Sequence, residues 1–384
     1  MNNRFPRVLF PFVALALAAC ANESEEVSTN APAGVNTPPD TTAPAIDFGA
    51  FEQAIFGDGS KAEGAVIQHQ GKVVYEKYVA GFTATNRHLA YSVSKSVGSA
   101  LLGIAVNDGL LEVEDSVCKY VPKADNADPK YCDTTVGSLV QMTSGLKWDE
   151  GYADPATSNV LPMLYGDEAD MGLYVARQPR ANDAGKVWNY SSGDSNLLAR
   201  AIRGALAGKD MRAWANEKLF VPAGLSSAIF ESDQSGTLLF ASGVFMTPRD
   251  MARFGQLYLD GGMAGTTRVL STSWVDFSST PAPAVAAPKV HKSFELKERG
   301  GSYGASFWLN AAAPDAPTET LLYANAPRDL FCAQGTWGQR ICMVPSRKLV
   351  IVRVGNDGLA FYNVAPGIAA AVKAIDDVNA KGGK

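Results

Sequence analysis

Patterns that make half-buried strands occur near the two ends of this 384-residue chain, with a long, mostly helical interval between them. Residues 65–78 approximately alternate about Gln70-Gly71, which predicts a β-hairpin. Strand patterns return at 303–309, 330–334, 339–344 and 349–354. Between them, 96–106 and 197–206 place apolar residues at helical spacing, and a last helix is expected from 365 to about 378. Strands that bracket helices share one core only if the chain returns to its starting strand. The expected fold class is therefore α+β: an antiparallel sheet built from both termini with flanking helices, plus an inserted, mainly helical subdomain. A functional groove would lie between the two. No repeat or second linker divides residues 46–384, which read as one unit.

The N-terminus points to export. Arg4 and Arg7 precede an apolar run at 8–19, too short to span a bilayer and suited to a signal peptide. Its end, Leu17-Ala-Ala-Cys20, resembles the lipobox of bacterial lipoproteins, in which the cysteine is lipidated and becomes the mature N-terminus. Residues 1–19 are thus expected to be a lipoprotein signal peptide. Residues 20–45 would be the lipidated Cys20 and a Ser-, Thr-, Asn- and Pro-rich disordered linker, the membrane partner being the lipid anchor. The expected location is the bacterial cell envelope, facing the periplasm. Removing 1–19 takes away two positive charges and no negative ones, so a net charge of −5 becomes −7. An acidic chain without a basic cluster argues against nucleic acid as a partner. Four cysteines remain. Cys118 and Cys132 flank a polar loop, and Cys332 and Cys342 are equidistant from Trp337, as hairpin cross-strand partners would be. Disulfides Cys118–Cys132 and Cys332–Cys342 are expected in an oxidising compartment. Zinc is the competing reading, but no Cys-x-x-Cys or histidine pair supports it. No metal and no cofactor is expected.

Serine needs a neighbouring base to become a nucleophile. The three histidines are His69, His88 and His291, and the one G-x-S-x-G string is Gly300-Gly-Ser302-Tyr-Gly304. No histidine follows Ser302, and a strand continues after it where a nucleophile elbow needs a helix. The other solution is S-x-x-K, present at Ser92–Lys95, Ser116–Lys119 and Ser144–Lys147. Ser116 follows a helix stop at Asn107-Asp108-Gly109, and Ser144 is broken from its lysine by Gly145. Only Ser92 opens a sustained helical pattern, with Val97, Ala100, Leu101, Ile104 and Ala105 on one side. There Ser92 and Lys95 lie one turn apart on one face, and the helix N-terminus leaves amide hydrogens free beside Ser92. Burial would lower the lysine pKa far enough for it to act as a base.

These residues carry a resemblance. Tyr91-Ser92-Val-Ser-Lys95-Ser, Gly109-Leu-Leu-Glu-Val-Glu-Asp115 and Lys119-Tyr-Val-Pro122 resemble the class C β-lactamase and penicillin-recognising esterase family. Gln141-Met-Thr-Ser-Gly-Leu-Lys-Trp148 and Gly151-Tyr-Ala-Asp-Pro155 are closer to its 6-aminohexanoate-oligomer hydrolase subgroup. Asn189-Tyr190-Ser-Ser-Gly-Asp-Ser-Asn196, Met246-Thr-Pro-Arg-Asp-Met-Ala-Arg-Phe-Gly255 and Gly338-Gln-Arg-Ile-Cys-Met-Val-Pro345 extend it. The resemblance implies the fold expected above and catalysis by Ser92, Lys95 and Tyr190. It leaves open which of Lys95 and Tyr190 is the base. It also implies an oxyanion hole from the backbone N–H groups of Ser92 and Thr336, and substrate contacts at Trp148, Ser192, Gly335 and Trp337.

Two departures bear on activity. Ser192 stands where lactamases have Asn, and Ala333-Gln334-Gly335 stands where they have Lys-Thr-Gly. A β-lactam or D-alanyl peptide loses two polar anchors, whereas a small-molecule ester or linear amide needs only nucleophile, base and oxyanion hole. The expectation is an esterase or amidase. β-Lactamase or D-alanyl peptidase activity, acyl transfer, and a non-catalytic envelope-binding protein of the same fold are the alternatives.

Overall fold

The computed structural model describes residues 46–124, 127–152, 154, 156–286, 302–311, 317–358 and 362–382. The expected signal peptide, Cys20, the linker to residue 45 and His291 lie outside the described residues.

The expected hairpin is present. Strand β1 (Ala62–His69) turns through Gln70 and Gly71, both with positive φ, into β2 (Lys72–Tyr78). Within the long interval, β3 (His88–Leu89), β4 (Ile229–Phe230) and β5 (Val244–Met246) form a small sheet in the order β3-β5-β4. Strands β6 (Met263–Ala264) and β7 (Thr267–Arg268) form a separate ribbon. The sequence pattern gave no sign of these, because segments of two or three residues are too short to show a period of two.

Five further strands complete the main sheet: β8 (Ser302–Tyr303), β9 (Trp308–Leu309), β10 (Phe331–Gly335), β11 (Gln339–Val344) and β12 (Leu349–Gly355). Its order is β2-β1-β12-β11-β10-β9-β8, and every pairing is antiparallel. The last strand thus closes on the first, as expected for a sheet built from both ends. The single strand expected at 303–309 is instead a tight hairpin, with Ser302 opposite Leu309 and Tyr303 opposite Trp308. Ser306 takes φ +65° there, and Gly304 passes so close to the Ser278 carbonyl that a Cβ would lie 2.2 Å from it. A continuous strand cannot meet both conditions.

Strand β12 is buried along its whole length because the sheet is covered on both faces. Val350, Val352 and Val354 face the core that holds Val97 and Leu101 of helix Val93–Asn107 and Phe254 of helix Pro248–Leu259. Leu349 and Ile351 face Phe51 and Ile55 of helix Gly49–Phe56 and Ile368 and Ala371 of helix Ala365–Gly382. Alternate side chains therefore feed two cores, which is why this strand reads as an unbroken apolar run. Disulfides join Cys118 to Cys132 and, directly across the β10–β11 pair, Cys332 to Cys342.

Candidate active site

Helix Val93–Asn107 runs through the middle of the molecule, with residues 93–105 all buried. Ser92 is its N-cap, delivered by Tyr91 in a left-handed turn at φ +48°. Such a conformation is uncommon for a bulky residue. Lys95, 2% exposed, ends at Ser92. Its Nζ lies 3.0 Å from Ser92 Oγ, 3.0 Å from Ser192 Oγ and 2.9 Å from the Ala241 carbonyl oxygen. Burial lowers the lysine pKa to about 8, and the Glu150 charge opposes that shift. A neutral amine has two N–H donors and one lone pair. Three fixed partners suit it: Ser192 and Ala241 accept, and the lone pair is left for the Ser92 hydroxyl.

Tyr190 lies on the other side of the lysine, its ring centroid 5.0 Å from Nζ. Rings of Trp188, Tyr303 and Trp308 fix its orientation, the nearest being Trp308 at 5.5 Å. Burial, and next the neighbouring Tyr303 and Glu150, push its pKa well above the ordinary tyrosine value, against a hydrogen bond with Ser92. Ser191 caps the following helix, Ser192–Ala205, by accepting from Asp194 N at 2.8 Å, which sets Ser192 in its first turn facing Lys95.

The third side is the end of β10. A Cβ on Gly335 would lie 2.2 Å from the Ala90 carbonyl, so the strand meets the Ser92 turn backbone to backbone. Thr336 follows at once, and the Trp337 ring, 36% exposed, sits 5.2 Å from Tyr91. The turn after it is pinned from behind. Arg340 Nη1 donates to the Gly335 carbonyl and Arg353 Nη1 to that of Gly338, each at 2.9 Å. Arg353 and Asp357, both buried, form an ion pair at 2.7 Å. Among the described residues the Ser92 backbone N–H has no hydrogen-bond acceptor.

The other serine candidates are occupied elsewhere. Ser116 Oγ donates to the Cys132 carbonyl and caps a short helix, while Lys119 is paired with Asp115. Ser144 Oγ donates to Asp194 at 2.8 Å, with Lys147 exposed. Ser302 lies within β8. His88 pairs with Glu63 and stacks on Phe82, and His69 ends β1. Neither histidine hydrogen-bonds a serine among the described residues.

One expected contact residue is nearly enclosed and one residue was missed. Trp148, expected to touch substrate, is only 5% exposed; its ring packs on Gly193, where a Cβ would lie 2.5 Å away. Its indole N–H donates to Glu150 at 2.6 Å. Glu150 also accepts from Ser192 Oγ at 2.5 Å and Ser192 N at 2.8 Å. The available signal was an acidic residue in the gap between Trp148 and Gly151-Tyr152. Nothing in the sequence linked it to Ser192, 42 positions later.

The Beta-lactamase family model matches residues 53–370. The chain is 28% identical over 299 residues to a 6-aminohexanoate-dimer hydrolase of Paenarthrobacter ureafaciens, covering 76% of this chain and 71% of that one. It also shares its fold with a penicillin-binding protein homologue from Caulobacter crescentus at TM-score 0.64 and 18% identity, covering 86% of this chain and 98% of that one. A family VIII carboxylesterase matches equally well, at TM-score 0.64 and 16% identity over 86% and 98%. The match spans both ends of the sheet and every motif between them, and the chain belongs to the Beta-lactamase family, the serine β-lactamase-like hydrolases.

Proposed function

We propose that this hydrolase cleaves small esters or linear amides through an acyl-enzyme on Ser92, with Lys95 as base and Tyr190 as its partner. The observation that carries the reading is Lys95 Nζ, buried and 3.0 Å from Ser92 Oγ. Neutral Lys95 takes the Ser92 proton as Oγ bonds to the substrate carbonyl carbon. The tetrahedral oxyanion is held by the N–H groups of Ser92 and Thr336, each worth about 3–4 kcal/mol of barrier. As the intermediate collapses, the alcohol or amine leaves with the proton, relayed from Lys95 through the Tyr190 hydroxyl. Water then attacks the acyl-enzyme with the same base, regenerating Ser92.

Ester or linear amide is preferred over β-lactam because Ser192, in the Asn position, has its hydroxyl committed to Lys95 and Glu150. Ala333 brings no charge for a substrate carboxylate. Short- and long-chain p-nitrophenyl esters, aminohexanoate oligomers, a chromogenic cephalosporin and D-Ala-D-Ala peptides are the panel that tests this. Turnover of esters or oligomers far above the other two supports the reading, and a dominant cephalosporinase activity sinks it. Because the reactive lysine is the neutral one, kcat/KM should rise with pH through about 8 and level off above it. A profile flat from pH 6 to 9 would show that Lys95 is not the titrating base.

The N-terminal reading is a proposal on the sequence alone: Cys20 is lipidated and tethers the enzyme to a membrane of the cell envelope. Cys20→Ser should release the protein into the soluble fraction or leave an unprocessed precursor. A Cys20→Ser protein of mature size that still pellets with membranes would refute the anchor.

A further inference from the structure

The hydroxyl of Ser192 has one proton, and its direction decides whether Lys95 can work. If that proton pointed at Lys95 it would take the lone pair that must face Ser92. Its direction is set by Glu150, which the reaction scheme above does not use. Oε1 of Glu150 accepts from Ser192 Oγ at 2.5 Å and from the Tyr152 hydroxyl at 3.1 Å. Oε2 accepts from Ser192 N at 2.8 Å and Trp148 Nε1 at 2.6 Å. An ionised carboxylate can only accept, so the Ser192 proton must point at it and Ser192 Oγ can only accept from Lys95. With the Ala241 carbonyl as a second acceptor, both N–H groups of neutral Lys95 are assigned and its lone pair is left for Ser92.

We propose that Glu150 is a positioning residue for the Ser92–Lys95 pair: through Ser192 it fixes the hydrogen-bond polarity that turns the lysine lone pair to the nucleophile. This rests on the function proposed above. Trp148 and Tyr152 belong to the same device, because they hold the carboxylate from either side on the loop that Glu150 occupies. The short Ser192 side chain, where relatives with the lactamase motif have Asn, leaves the room in which the carboxylate meets it.

Glu150 also supplies the opposing charge that limits how far burial lowers the Lys95 pKa. Glu150 is the one charge that acts on the lysine pKa against burial. Tyr190, Tyr152 and Tyr303 are all raised and therefore neutral. Asp194, raised to about 7 by burial, is partly ionised at neutral pH, but its carboxyl is held by Ser144 and Ser191 and does not act on Lys95. Removing the Glu150 charge should therefore let the lysine pKa fall further, a change that loosened packing alone would not produce.

The test is the pH dependence of p-nitrophenyl acetate hydrolysis and of fluorophosphonate labelling in Glu150→Gln, Glu150→Asp and Ser192→Ala. Glu150→Gln should lower kcat/KM tenfold or more and move its acid limb down by about one pH unit. Glu150→Asp keeps the charge with poorer reach, and should lose rate with the limb nearly in place. Ser192→Ala keeps the carboxylate but cuts the bridge. It should lose rate tenfold or more without the downward shift, and it decides the matter if Glu150→Gln does not fold. A wild-type rate in Ser192→Ala, or a Glu150→Gln enzyme with reduced rate and an unmoved limb, would overturn the proposal. Labelling of a Ser92→Ala control would instead overturn the catalytic reading beneath it, so the two failures are distinguishable.

Discussion

Ser92→Ala is expected to abolish both hydrolysis and acyl-enzyme formation. Loss of the nucleophile in serine hydrolases typically costs about 10⁴–10⁶ in kcat. The geometry supports a large effect, because Lys95 Nζ lies 3.0 Å from Ser92 Oγ, while Ser192 Oγ, at the same distance, is committed to the Glu150 carboxylate. The controls are the other serines. Ser116→Ala removes a short-helix cap, Ser144→Ala leaves the buried Asp194 carboxyl without its 2.8 Å donor, and Ser302→Ala alters an edge strand. Each should lower stability to some degree and leave the labelling stoichiometry of the folded protein unchanged. Serine-directed labelling followed by peptide mapping reads the result. Full labelling of Ser92→Ala, or loss of labelling in folded Ser144→Ala, would move the nucleophile elsewhere.

Lys95→Ala and Tyr190→Phe should each slow acylation by about 10²–10⁴, and the double variant should lose much less than the product of the two. The reason is that both act on one proton. Lysine is pushed down to about 8 by burial, so a useful fraction is neutral at neutral pH. Tyrosine is pushed up by the same burial, so it stays protonated, which suits the hydroxyl donor and relay role proposed for it and not that of a tyrosinate base. Without Lys95, the Tyr190 hydroxyl has no base to draw on; without Tyr190, the proton held by Lys95 lacks a route to the leaving group. Pre-steady-state acylation of the four proteins measures the coupling. Strictly multiplicative losses would mean separate roles, and a Tyr190→Phe enzyme of near-normal rate would leave Lys95 alone in the mechanism.

The amino-acid sequence by itself determined the ends of this molecule and its central helix. Long strands such as β1, β11 and β12 and the helix behind Ser92 announce themselves because period and burial extend over many residues. The same helix singled out Ser92–Lys95 among three S-x-x-K strings, since only a helix start brings those side chains together. Local pattern could not show the hairpin at 302–309, which depends on a left-handed Ser306 and a close approach to Ser278. Nor could it show Glu150, whose meaning comes from a contact with Ser192 made only when the loop folds over the helix N-terminus. The opposite pKa shifts of Lys95 and Tyr190 were equally hidden. In water their pKa values are nearly equal. Burial disfavours the charged form of each, and because one is a cation and the other an anion it moves them in opposite directions. That separation is a property of the enclosed site, so only the tertiary structure decided it.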